Sequence, residues 1–178
     1  MSGGATIGLR PEEPEDAAAI REIHRLAFGR DAEAVIVDAV RAADAAVLSM
    51  VAADAGGDGP AVAHVLYTRV VVAVEDGDDV SLLGLAPVGV LPTHQGRGIG
   101  TMLIEASLEQ LRAEGHPAVV VVGDPGYYPR FGFLPGGRWG LRWEVDAPDE
   151  VFMVAELSPG TLAGIHGVVR FRPEFAGA

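Results

Sequence analysis

The stretch Pro87-Val-Gly-Val-Leu-Pro-Thr-His-Gln-Gly-Arg-Gly-Ile-Gly-Thr101 runs from the end of an apolar strand, through a glycine-rich turn, into a long amphipathic helix. A strand that ends in glycines just before a helix presents unpaired backbone N–H groups at the positive end of the helix dipole. That junction suits a phosphate. The helix it opens is predicted over about 98–114, with Thr101, Glu105, Glu109 and Arg112 as its polar stripe. The rest of it is mostly apolar, so it packs on a sheet over most of its girth. Gly115 and Pro117 stop it, and the run Ala-Val-Val-Val-Val at 118–122 reads as a buried central strand. Strand, helix and strand make a β-α-β unit with parallel pairing.

Upstream, residues 1–9 read as a tail entering a first strand, with Ile7 and Leu9 on its apolar side. Pro11 to Asp16 reads as a helix start. Ala17, Ile20, Ile23, His24, Ala27 and Phe28 then recur at helical spacing up to Gly29. Asp31 caps a second helix to about Ala43. Strands are predicted over 47–53, 61–74 and 81–90, joined by Gly- and Asp-rich turns, which implies an antiparallel meander. Downstream, Asp124 and Pro125 open one or two helical turns that Gly132 ends. Strands are expected over 139–145, 151–157 and 165–171.

The 178 residues suffice for one well-buried core, and a single domain over 1–178 is expected. The absence of cysteine excludes disulfides, thiolate zinc sites and a catalytic thiol, and fits a cytoplasmic protein. No apolar run reaches the length of a spanning helix, and the N-terminus lacks a signal-peptide pattern. A formal charge of −12 argues against nucleic-acid binding and suits a cationic substrate. All basic side chains other than histidine are arginine, so no lysine can act as base or Schiff base.

The spacing of Gly96, Gly98 and Gly100 departs from the dinucleotide fingerprint, whose third glycine would fall one position later. A P-loop needs a lysine that the chain lacks. What remains is Val90-x-Pro-x-x-Gln95-Gly-x-Gly-Ile-Gly100, followed at 128–133 by Tyr-x-x-x-Gly-Phe. Both motifs, in this order and within this succession of elements, resemble the GNAT family of N-acetyltransferases over nearly the whole chain. The stretch from Gly123 to Phe133 is similar to a subgroup of predicted bacterial acetyltransferases within it.

The resemblance implies a GNAT-type α/β (α+β) fold: a mostly antiparallel mixed sheet, one parallel pair splayed at the CoA site, and helices on both faces. It implies acetyl transfer from acetyl-CoA to a primary amine by direct attack, with no metal. The alternative is a non-catalytic acyl-CoA sensor on the same fold. Backbone N–H groups of Gly96, Arg97, Gly98, Ile99 and Gly100, with the Thr101 hydroxyl and the motif residue Gln95, would hold the pyrophosphate turn. Val88 and Val90 would pair with pantetheine, with Gly89 between them where a bulge is cheapest. The Val90 N–H would stabilise the oxyanion, and Tyr128, adjacent to Tyr127, would serve as general acid. Asp124 is a candidate pantetheine contact whose plainest reading is a helix N-cap. Arg97 and Arg130 are candidate phosphate contacts. A homodimer is compatible with the family. His24, His64, His94, His116 and His166 are each isolated in sequence, so the base stays open, with His64 able to face the cleft and His94 facing solvent. Trp139 and Trp143 are read as core or acceptor-pocket residues.

Overall fold

The computed structural model describes residues 6–176; the reading of 1–5 as a tail without a leader lies outside them. The strands are β1 (Gly8–Pro11), β2 (Ala46–Ala53), β3 (Ala61–Ala73), β4 (Val80–Val90), β5 (Ala118–Val122), β6 (Leu134–Pro135), β7 (Leu141–Trp143), β8 (Phe152–Glu156) and β9 (Gly167–Arg170). The helices are α1 (Ala17–Phe28), α2 (Ala32–Ala42) and α3 (Ile99–Ala113). The strand order is β1-β2-β3-β4-β5-β8-β6, and β9 pairs with both β3 and β7.

The mixed sheet expected from the sequence is present. β1 and β2 are antiparallel, as are β5 and β8, while β4 and β5 are parallel. The β4–β5 register couples Leu83 with Val119 and Gly84 with Val120, although β4 runs on to Val90 and β5 to Val122. A short parallel pair, β7 with β9, was not foreseen.

By contact density the chain divides into two compact units, and β3, β4 and α3 contribute to both. The first unit comprises residues up to Tyr67, 86–107 and the C-terminal end from Glu174. Its core joins Ile20 and Ile23 of α1, Ile36, Val37 and Val40 of α2, and Val51, Ala61 and Leu66 of the strands. The i, i+3 and i+4 spacing on α1 puts Ile20, Ile23 and His24 on one fully buried face. Gly29, at φ 68°, ends α1 with its N–H on the Arg25 carbonyl. The second unit holds residues 68–85 and 108–173. Its core gathers Val70, Val72, Leu82, Val120, Leu141, Phe152, Val154 and Val169.

Three local readings need correction. Pro11 closes β1 instead of opening a helix, which begins at the Pro14–Asp16 turn; β1 is an edge strand, where a missing N–H costs no ladder bond. Residues 136–139 form a 3₁₀ turn, so Trp139 precedes β7. Gly136 and Gly140 bracket that turn, and Gly140 takes φ 70°, which a continuous strand could not accommodate. Asp124 does not cap the Tyr128–Phe131 turn, whose N-cap is Tyr127. Its Oδ1 instead accepts the Gly126 N–H at 2.7 Å, two residues on, the geometry of an Asx-turn.

Candidate active site

The glycine-rich turn lies at the end of β4. Leu91 donates its N–H to the Val62 carbonyl at 2.9 Å, and the Gln95 side chain donates to the Val90 carbonyl at 3.0 Å. These bonds hold the peptide after Val90 from both sides. Gly96 and Gly98 adopt φ 73° and 76°, the left-handed region where a side chain is strained, and the space beside each is open. α3 starts at Ile99, and its first ladder bond runs from the Met102 N–H to the Gly98 carbonyl. The N–H groups of Ile99 and Gly100, at the start of the first turn, precede that bond and have no acceptor within the helix. Gln95, Gly96, Arg97 and Gly98 are exposed, while Gly100 and Thr101 are half-buried in the first turn. His94, expected to face solvent, is half-buried, with Nε2 3.4 Å from an Asp54 carboxylate oxygen and Nδ1 2.8 Å from the Thr93 hydroxyl.

Val88 and Val90 are half-buried and Gly89 is buried. What lies over Gly89 dictates its identity. A Cβ there would stand 2.9 Å from His24 Nδ1 and 3.4 Å from the Ala27 methyl. His24 is fully buried on α1 and is the innermost member of a chain of polar groups. Its Nε2 lies 2.7 Å from His64 Nδ1, and His64 Nε2 lies 2.8 Å from Ser49 Oγ. Ser49 Oγ donates to Glu12 Oε2, and Glu12 Oε1 accepts from Arg41. His24 Nδ1, by contrast, is buried with no hydrogen-bond partner.

The protonation states of this chain follow from its anionic end. Burial raises the Glu12 carboxyl, but His64, 3.7 Å away, and the hydrogen bonds from Ser49 and Arg41 outweigh it and hold the group down to about 2, so it is ionised and can only accept. Ser49 must then donate to it, and Ser49 Oγ is left to accept from His64 Nε2–H. His64 Nδ1 accepts from His24 Nε2–H in turn, which leaves His24 Nδ1 as a bare lone pair. Burial keeps both rings neutral: it pushes His24 down to about 3, helped by His64, and lowers His64 against the pull of Glu12.

Tyr128 is 8% exposed and lies in the second unit. Its ring meets Tyr127 and Phe133 edge-on, at 5.2 and 5.7 Å between centroids. The ring also lies over Gly123, where a Cβ would come within 2.4 Å of Cε2. Burial, then the proximity of Tyr127 and Asp124, pushes its hydroxyl up to about 12. Arg130 turns back on its own loop, with its guanidinium 4.4 Å from the Tyr127 ring centroid and Nε donating to the Tyr127 carbonyl at 2.8 Å. Trp139 and Trp143 pack partly buried against the second core, and Trp143 also lines a cavity of about 340 Å³ with Leu141, Glu144, Asp146 and Phe152. Among the described residues there is no group of three or more His, Asp or Glu side chains placed to hold a metal, and no helix is long and apolar enough to cross a membrane.

The union of His24, His64, Ser49 and Glu12 was not legible as a site, because His24 and His64 stand 40 positions apart. A signal was nevertheless present. His24 falls on the apolar face of α1, and His64 sits inside the apolar run Ala61 to Leu66 of β3; a polar ring in either place needs a buried partner.

A turn of this kind between a strand and a helix, in a mixed sheet with one β-α-β crossover, defines an acyl-CoA-type acetyltransferase architecture. Residues 9–136 match the acetyltransferase (GNAT) domain family, and the chain belongs to that family. It is 33% identical to the uncharacterised N-acetyltransferase YhbS of Escherichia coli K12 over 94% of this chain and 97% of YhbS. It is 36% identical to the uncharacterised N-acetyltransferase YjhQ of the same organism, over 85% of this chain and 86% of YjhQ. The crystal structure of E. coli YhbS in complex with CoA aligns with TM-score 0.89 and 31% identity, covering 98% of this chain and 94% of that one. A GNAT acetyltransferase from Brucella melitensis in complex with acetyl-CoA aligns with TM-score 0.76 and 36% identity, covering 96% and 99%.

Proposed function

We propose that this protein transfers an acetyl group from acetyl-CoA to a primary amine by direct attack. The observation that carries the reading is the turn itself: two left-handed glycines with open space beside them, at the N-terminus of α3, directly after β4. The complexes of YhbS with CoA and of the Brucella enzyme with acetyl-CoA support the same donor here. Backbone N–H groups at Gly96, Arg97, Gly98, Ile99 and Gly100 would take the pyrophosphate, beside Gln95 and Thr101. The backbone of Val88, Gly89 and Val90 would take the acyl arm, with the Val90 N–H on the developing oxyanion. Asp124 and Arg130 remain candidates for contact with the rest of CoA.

In the reaction the neutral amine closes on the thioester carbon, the carbonyl oxygen becomes an oxyanion, and collapse expels the CoA thiolate. Tyr128 is the proposed donor to that sulfur. A phenol at about 12 surrenders its proton to a thiolate near 8.5 only at a cost of about 5 kcal/mol. Tyr128 therefore acts as a hydrogen-bond donor that stabilises the thiolate, and full transfer completes as CoA meets water. The acidic surface, with its net charge of −12, favours a cationic acceptor such as a polyamine, an aminoglycoside or a peptide N-terminus.

Titration calorimetry with acetyl-CoA tests the donor site, and absence of binding would sink this reading. A panel of those amines, followed by release of free CoA thiol, tests catalysis. Tight CoA binding without turnover across the panel would assign the chain to acyl-CoA sensing instead.

A further inference from the structure

We propose that Glu12, Ser49, His64 and His24 form a proton relay that takes up, at His24 Nδ1 on the Gly89 face of β4, the proton released by the attacking nucleophile. The inference rests on the acetyl-transfer reading. Three observations carry it. His24 Nδ1 is fully buried, unpartnered, and held against Gly89, the residue preceding Val90. The contacts His24–His64, His64–Ser49 and Ser49–Glu12 are continuous, and the ionised carboxylate at one end orients them all the same way, from His24 to Glu12. The Glu12 end lines, with Arg41, Asp44 and Leu66, a cavity of about 80 Å³, large enough for more than one water.

The step balances without an oxidant or reductant. As the nucleophile's electron pair closes on the thioester carbon, its proton goes to His24 Nδ1. The His24 Nε2 proton passes to His64 Nδ1, the His64 Nε2 proton to Ser49 Oγ, and the Ser49 hydroxyl proton to Glu12 Oε2. Each side chain that gains a proton at one atom loses one, the two rings exchanging an Nε2 proton for an Nδ1 proton; Glu12 alone becomes a neutral carboxyl, transiently, and releases its proton to solvent through the adjoining cavity. The charged and titratable groups facing the chain are Glu12, Arg41 and, at longer range, Asp16. A glycine at position 89 is what lets the lone pair approach the strand.

Two measurements test the relay, and neither needs the natural acceptor. In protein labelled with ¹⁵N-histidine, long-range proton–nitrogen spectra at pH 7 should show both rings neutral and protonated on Nε2. The His24 Nδ1 resonance should shift when acetyl-CoA is added. Ser49→Ala should scramble both tautomers. A His24 ring protonated on Nδ1, or one that ignores bound acetyl-CoA, overturns the proposal. The slow hydrolysis of acetyl-CoA, in which water replaces the amine, should fall about 100-fold in Ser49→Ala. It should recover in Ser49→Thr, which restores the hydroxyl. Unchanged hydrolysis in Ser49→Ala overturns the proposal as well. CoA affinity by calorimetry keeps the two claims apart: loss of the relay with binding intact leaves acetyl transfer standing, whereas a wild type that binds no CoA removes both.

Discussion

Acidification is the perturbation that the buried histidines make quantitative. His24 keeps its ring neutral down to about 3 in the folded chain, because burial and the neighbouring His64 disfavour its charge. In the unfolded chain it titrates near 6.5. Between those two values the unfolded state binds a proton that the folded state refuses, so stability falls as pH drops below 6.5. Each pH unit costs about 1.4 kcal/mol from this one residue, or about 2 kcal/mol by pH 5. His64 acts in the same direction, since its pKa is also lowered. Glu12 and Asp16 are held below their usual range by their partners, so they add to the loss only under stronger acid, below 4.5 and 3.8 respectively. The window from 6.5 to 5 therefore isolates the histidines from these carboxylates. Urea unfolding at fixed ionic strength from pH 8 to 5 measures it. With an m-value of about 2 kcal/mol/M, the midpoint should fall by about 1 M over that window from His24 alone. In His24→Gln the pH slope should be shallower by about 1.4 kcal/mol per unit, whatever the variant's absolute stability. A midpoint independent of pH between 7 and 5, or a His24 resonance that titrates near 6.5 in the folded protein, would refute the buried, neutral pair.

The turn and the aromatic loop make further predictions. Gly96→Ala and Gly98→Ala should each cost about 1 kcal/mol in unfolding experiments, because both positions need positive φ while neither lacks room. Calorimetry should show weakened CoA binding in the same variants. Gly89→Ala should destabilise by about 1–3 kcal/mol, since its methyl meets His24 Nδ1 at 2.9 Å and the buried ring has to give way; a wild-type melting temperature would show that the contact relaxes freely. Tyr128→Phe should lower turnover by about 100-fold while leaving the Kd for CoA within about twofold, and retention of full turnover would remove Tyr128 from the mechanism. Because the Tyr128 hydroxyl sits at about 12, no loss of activity between pH 8 and 10 should trace to its ionisation.

The parts of the fold legible in the sequence are those whose signal is local. α3 and β5 were readable because an amphipathic period and a run of four valines admit few alternatives, and Gly115 and Pro117 punctuate them. The β4 turn was readable because Gly96 and Gly98 are conformational requirements of the backbone itself. The C-terminal third was harder. β6 and β7 are two and three residues long, and their pairing with β8 and β9 depends on partners that come later in the chain. In the sequence the glycine at 89 reads as backbone latitude for a bulge; the structure supplies a different cause in the side chain of His24, 65 positions earlier. The polar chain behind it was invisible for the same reason: each link is a tertiary contact, and no spacing announces one.

The chemistry gives that hidden part particular weight. A thiolate near 8.5 is a competent leaving group at neutral pH, so its departure needs a hydrogen bond more than a strong acid. In the proposed mechanism a phenol held at about 12, that of Tyr128, would supply that bond and little else. The larger demand for proton transfer falls on the nucleophile, because a cationic amine must shed a proton before or during attack. On that side the chain carries no lysine and no cysteine. What it does carry, one residue before the Val90 N–H, is a neutral ring nitrogen whose proton has been drawn to the opposite side by a carboxylate three links away. Exchanging that carboxylate tests the logic. In Glu12→Gln the amide oxygen can still accept from Ser49, so the tautomers and CoA binding should persist, but the chain loses its terminal proton acceptor. Hydrolysis of acetyl-CoA should then fall about as far as in Ser49→Ala, with the ¹⁵N spectrum of His24 unchanged. Full activity in Glu12→Gln would show that the proton leaves by another route and that the carboxylate serves only to orient the rings.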